Sequence, residues 1–158
     1  MANENRFYED IVIGETREST TRVVRLDELI EFASRYDPQY FHIDPNAAER
    51  SVFRGITASG IHTAALWRAL DHQINGDIRW ICGLAWKDVQ WPNPVRAGDA
   101  LRARAEALGK RPSRSHPERG VVEFRYILLN QRDEIVFSCQ SVSLIEMQPV
   151  HASCNDVM

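Results

Sequence analysis

The chain has 158 residues, 44% of them hydrophobic and 26% charged, with a formal net charge of −3. That is enough chain for one domain with a buried core, and the composition excludes wholesale disorder. The mild acidity excludes a nucleic-acid surface without a local basic patch, and no run approaches the roughly 18 apolar residues of a membrane span.

Two short strands are expected between Ile11 and Leu26, broken at Gly14, because Thr20, Thr21, Val23 and Val24 favour extended backbone. Asp27 reads as a cap or first-turn acid ahead of ELIEFASRY. Leu29, Ile30, Phe32, Ala33 and Tyr36 recur at helical spacing, and Asp37-Pro38 ends the helix. Residues 39–57 read mostly as loop, with a short helix opened by Pro45 and capped by Asp44. A long helix is predicted from Ser59, its cap, with Ile61, Ala65, Leu66, Ala69 and Leu70 as the buried face. Asn75-Gly76 marks the following turn.

Everything after that turn reads as sheet. Trp80–Trp91 alternates with Trp80, Cys82, Leu84 and Trp86 on one face, until Pro92 and Pro94 interrupt it. Three more strands begin at Ala100, Gly120 and Ile135, and Asn130–Glu134 reads as a hairpin connection. The expected fold class is α+β: an antiparallel sheet with one long helix on it, and an open edge suited to pairing. One domain over residues 1–150 and a polar tail over 151–158 are expected.

Cys82, Cys139 and Cys154 form no CxxC pair, and His42, His62, His72, His116 and His151 form no zinc signature, so no metal is expected. Reduced thiols and a start without the build of a secretory leader suggest the cytoplasm.

Two segments carry candidate chemistry. In YDPQYFHIDP, Asp37 and His42 lie five residues apart across a proline-bearing loop. Such a turn can bring a carboxylate and an imidazole to one small volume, where the pair can hold and activate water. The spacing leaves a second reading open, with Asp37 as helix stop and His42 as a loop residue bonded to backbone. In GITASGIHTA, a helix start at Ser59-Gly60 points free amides at the preceding loop, and these can stabilise an oxyanion. An ordinary cap with tight packing is the alternative there. Ser59 lacks the GxSxG context of a nucleophile.

The stretch FASRYDPQYFHIDPNAAERSVFRGITASGIHTAAL, followed by WPNPVRAGDALRARAEALGKRPSRS and FRYILLNQRDEIVFSCQSVSLI, resembles the MaoC-like dehydratase family. That family includes (R)-specific enoyl-CoA hydratases. The resemblance covers roughly residues 10–147 and implies a single hot-dog domain, an antiparallel sheet wrapped around a long central helix. It implies reversible hydration of a trans-2-enoyl-CoA, with Asp37 and His42 activating water and the Gly60 amide holding the thioester oxygen. It also implies a homodimer or dimer-based oligomer with an acyl-CoA substrate and no separate cofactor. Ser59, Lys110, Arg111 and Arg114 are the candidate CoA contacts, and the basic loop 110–119 reads equally well as a solvated hairpin.

The chain departs from many such hydratases by carrying Ser59 in place of histidine before Gly60. Trp67-Arg68 stands where some members carry a serine, which bears on the acyl pocket. Trp80, Trp86 and Trp91 read as core, interface or acyl-pocket residues. A hot-dog thioesterase and a non-catalytic acyl-thioester binding subunit are the competing functions. RNA binding is disfavoured by the acidity and by the lack of an aromatic–basic platform.

Overall fold

A computed structural model describes residues 5–149; the polar tail and Cys154 lie outside the described residues. After a 3-10 turn at Tyr8–Asp10, the chain forms two short strands, β1 (Thr16–Glu18) and β2 (Arg22–Val23). Four helices follow: α1 (Leu26–Tyr36), α2 (Tyr40–Ile43), α3 (Pro45–Glu49) and α4 (Gly60–Asn75). The remainder is β3 (Trp80–Gln90), β4 (Ala100–Pro112), β5 (Arg119–Leu129) and β6 (Ile135–Glu146). The sheet runs β1-β4-β5-β6-β3, with β2 also on β4, and every pairing is antiparallel. The result is an α+β hot-dog arrangement in which the sheet wraps several short helices. The helical layer is divided over four segments, where one dominant helix was expected.

The local chemistry of most element ends is as the residues suggest. Asp27 is a first-turn acid of α1, and Asp37 is its C-cap, one residue past the end at Tyr36. Asp44 caps α3 through a 3.0 Å bond from the Ala47 amide. Asp133 takes a left-handed turn conformation (φ 61°) in the Asn130–Glu134 hairpin. The segment before α4 is more helical than expected: α2 occupies Tyr40–Ile43, directly between Pro38 and Pro45.

The buried face of α4 is rotated from the predicted one. Ile61, Ala65 and Ala69 are exposed, while His62, Asp71 and Asn75 are buried beside Leu66, Trp67 and Leu70. Packing explains the rotation. The His62 ring stacks on Phe32 of α1 at 4.3 Å, and Trp67, fully buried, meets Tyr126 and Phe137. The inward row of β4 is Leu101, Ala103, Ala105 and Ala107, small enough for α4 to lie close. Burying a side chain the size of Trp67 contributes roughly 3 kcal/mol, and these contacts set the helix rotation over apolar periodicity.

β3 does not keep the expected alternation. Its register with β6 shifts at three places, and Asp88 adopts φ 50°. It is an edge strand, and Ile81, Leu84 and Trp86 are exposed along it.

The N-terminal segment is clamped at the other end. Lys110 Nζ donates to the carbonyls of Tyr8, Glu9 and Ile11 at 2.7–3.2 Å. The Tyr8 ring lies over Gly120, where an added Cβ would fall 2.0 Å from the ring. Gly120→Ala is therefore expected to cost about 1–3 kcal/mol by forcing Tyr8 out, measured as a lower urea midpoint with an unchanged m-value.

Candidate active site

The end of α1 and the start of α4 meet at one point. Asp37 stops α1, Pro38 forces the backbone outward, and the α2 turn returns His42 toward the fold. Ser59 Oγ donates to Asp37 Oδ2 at 2.7 Å, and Gln39 Nε2 donates to Oδ1 at 2.9 Å. These bonds, Ser59 first, hold the Asp37 carboxyl below the usual carboxylate range, with the nearby His42 adding to the effect. Its contribution to stability is complete above the ordinary carboxylate range and fades as pH falls through the depressed value.

His42 is buried, and its Nδ1 lies 2.7 Å from the Thr57 carbonyl. A carbonyl only accepts, so Nδ1 carries a proton, and in the neutral ring Nε2 then keeps its lone pair. Nε2 stands 3.6 Å from Asp37 Oδ2, beyond a good direct hydrogen bond. Two atoms that far apart are both within about 2.8 Å of one water placed between them. An imidazole nitrogen and a carboxylate oxygen are thus spaced to share one water.

Gly60, the first residue of α4, lines the same cavity as His42. This cavity of about 350 Å³ is walled by Phe41, Phe53, Thr63 and Trp91. The first amides of a helix have no intrahelical acceptor, and Ser59 makes no side-chain cap here. An added Cβ on Gly60 would lie 3.3 Å from the Trp91 indole, whose N–H donates to the Gly60 carbonyl at 3.0 Å. Gly60 therefore lets the indole lie flat over the helix start.

Asp37, His42 and Gly60 are brought together, with Ser59 beside them; the other three candidate CoA contacts, Lys110, Arg111 and Arg114, lie elsewhere. Ser59 is fully buried at the N-cap position of α4, and its hydroxyl donates to Asp37 in place of the expected side-chain cap. Lys110 is spent on the three N-terminal carbonyls. Arg111 and Arg114 line a separate cavity of about 440 Å³ with His116 and Leu84. Thr57 and Gln39 escaped the sequence reading. A backbone carbonyl carries no residue signature, and Gln39 differs from any loop glutamine only through where α1 ends. Among the described residues, no group of three or more His, Cys, Asp or Glu side chains is placed to hold a metal, and no helix is long and apolar enough to cross a membrane.

Ser59→Ala removes the strongest support of the Asp37 carboxylate. Carboxyl NMR titration is expected to show the Asp37 pKa rising toward its ordinary value in this variant, while the His42 ring stays anchored on Thr57.

The model of the MaoC-like domain family matches residues 10–128. The chain is 32% identical to the uncharacterized protein YdeM of Bacillus subtilis (strain 168) over 142 residues, covering 87% of this chain and 97% of that protein. It is similar to a MaoC-like dehydratase from Rhodospirillum rubrum, at 35% identity and TM-score 0.86, over 92% of this chain and 100% of the other. The R-hydratase PhaJ1 from Pseudomonas aeruginosa shares the fold at 22% identity and TM-score 0.71, over 91% and 88% of the two chains. With its Asp37–His42 pair set against the start of α4, the chain belongs to the MaoC-like family of the hot-dog dehydratase superfamily.

Proposed function

We propose that this protein catalyses reversible hydration of a trans-2-enoyl-CoA to a 3-hydroxyacyl-CoA. The observation that carries the reading is the 3.6 Å approach of His42 Nε2 to Asp37 Oδ2 beside a cavity bounded by the Gly60 helix start. Similarity to a MaoC-like dehydratase and the fold shared with an R-hydratase support it.

The chemistry follows from the atoms. Water sits between Nε2 and Oδ2. A thioester carbonyl placed at the Gly60 amide is polarised, which makes C3 electrophilic. As the water oxygen bonds to C3, its proton passes to Nε2, and negative charge moves to the thioester oxygen. The imidazolium then gives a proton to C2 and restores the carbonyl. The ionised Asp37 orients the water and stabilises the transient imidazolium. Both new bonds form on the face of the alkene toward the pair; the (R) product is part of this proposal, supported by the fold shared with an R-hydratase.

The working unit in this proposal is a homodimer paired through β3. That strand presents an unpaired edge with Ile81, Leu84 and Trp86 exposed, a surface suited to a second copy of itself. The cavity with Arg111 and Arg114 borders this strand through Leu84, and its guanidinium groups suit CoA phosphates.

The test is loss of enoyl-thioester absorbance, with free thiol followed in parallel. Hydration with CoA still esterified is expected, falling about 10²–10⁴-fold in both Asp37→Asn and His42→Ala. Stoichiometric thiol release would instead mark a thioesterase. Inactivity of the folded protein on every chain length, with CoA still bound, would move it to the binding subunits. For the assembly, Leu84→Lys places like charges across the proposed β3 pairing, and sedimentation velocity is expected to show monomers.

A further inference from the structure

A second cavity, of about 250 Å³, opens where α4 crosses β3, β5 and β6. Its polar lining is Arg68, Tyr126, Ser141 and Ser143, and its apolar walls are Trp80 and Trp86. The catalytic pair makes no use of it. We infer that this cavity binds a carboxylate group.

The lining is built for an acceptor. Tyr126 is 1% exposed, and its hydroxyl has no hydrogen-bond partner of normal geometry, although Asp71 and Ser141 lie beside it. A buried phenol whose hydrogen bonds are poorly formed gains from a bound ligand oxygen that completes them. Ser141 and Ser143 are also buried and present their hydroxyls to the same space.

Arg68 is held in place rather than used up. Asp71 is buried and engaged at both oxygens: Oδ1 accepts from Asn75 Nδ2 at 2.8 Å, and Oδ2 accepts from Arg68 Nη1. Asn75 is anchored in turn by Arg6 at 3.0 Å. The guanidinium also lies over the Trp67 ring, 5.3 Å from its centroid. A guanidinium has five N–H donors, and the bond from Nη1 to Asp71 uses one of them. The remaining donors, with the phenol and two serine hydroxyls, match a planar group with two acceptor oxygens. A phosphate dianion fits poorly, since a single arginine, itself paired with Asp71, cannot balance two negative charges.

The carboxylate has two possible sources. One is a free small acid. The other is the far end of the acyl group, and this source rests on the hydratase reading above. The two cavities share an aromatic wall: Trp91 of the first meets Phe137, Phe137 meets Trp67, and Trp67 meets Trp86 of the second.

The experiment uses the full-length protein in two arms. In the first, tryptophan fluorescence is followed during titration with succinate, with its diamide as control; Trp80 and Trp86 report from the cavity wall. In the second, kcat/KM is compared between crotonyl-CoA and the CoA thioester of an unsaturated dicarboxylic acid. Tyr126→Phe, Tyr126→Phe with Ser143→Ala, and Arg68→Lys accompany the unmodified chain, with near-ultraviolet circular dichroism checking each fold. A saturable succinate response absent with the diamide, weakened about ten-fold in the double variant, establishes the site for a free acid; ten-fold is the scale of one lost hydrogen bond to a charged group. A preference for the dicarboxylic thioester that collapses in the same variants assigns the site to the acyl end. Saturable succinate binding with no hydration of any thioester keeps the site and removes the hydratase reading. Hydration without preference, together with a fluorescence response indifferent to the variants or absent, overturns the inference.

Discussion

The bond from Ser59 Oγ to Asp37 Oδ2 is the constraint on which the site depends. It ties the last turn of α1 to the first turn of α4, two segments separated by more than twenty residues. The hydroxyl of the N-cap serine is diverted from its own helix to a carboxylate. The diversion leaves the opening amides of α4 without a side-chain acceptor and keeps Asp37 ionised. The same contact sets the distance from the carboxylate to His42. One hydrogen bond thus links the charge state of Asp37, its spacing from His42 and the uncapped amides at the start of α4.

The rest of the fold supplies rigidity to that point. Thr57 holds the His42 ring through a backbone carbonyl, and the amide of the next residue, Ala58, is held in turn by the Val95 carbonyl. Trp91 closes the cavity from the segment after β3 and bonds the Gly60 carbonyl. Behind these groups, Trp67, Phe137 and Tyr126 form an aromatic core against which α4 cannot rotate without opening a void. Each group near the chemistry is therefore held by an element other than its own.

The polar interior of α4 shows how tertiary contacts override periodicity. Burial pushes the His62 pKa down and the Asp71 pKa up, so both side chains are drawn toward neutrality. Glu28 opposes the shift of His62, while Arg68 and Asn75 oppose that of Asp71. Such groups bear their desolvation cost only where partners are already in place, and those partners come from α1, from the N-terminal segment and from the next turn of α4 itself.

Much of the fold was legible in the chain. Strand starts at Ala100 and Ile135, the Asn130–Glu134 hairpin, the stop at Asp37-Pro38 and the Asp44 cap all rest on local rules of backbone and turn chemistry, and such rules travel with the residues. The nearness of Asp37 to His42 was legible for the same reason, since a short proline-bearing turn can join only near neighbours. The rotation of α4, the exposure of β3, the role of Ser59 and the spent charge of Lys110 were decided by tertiary structure alone. Each depends on what an element meets across space: Phe32 for His62, an open sheet edge for β3, a carboxylate from another helix for Ser59, and three carbonyls about a hundred residues away for Lys110. Local sequence sets which partners a residue can accept, and the packed fold determines which one it receives.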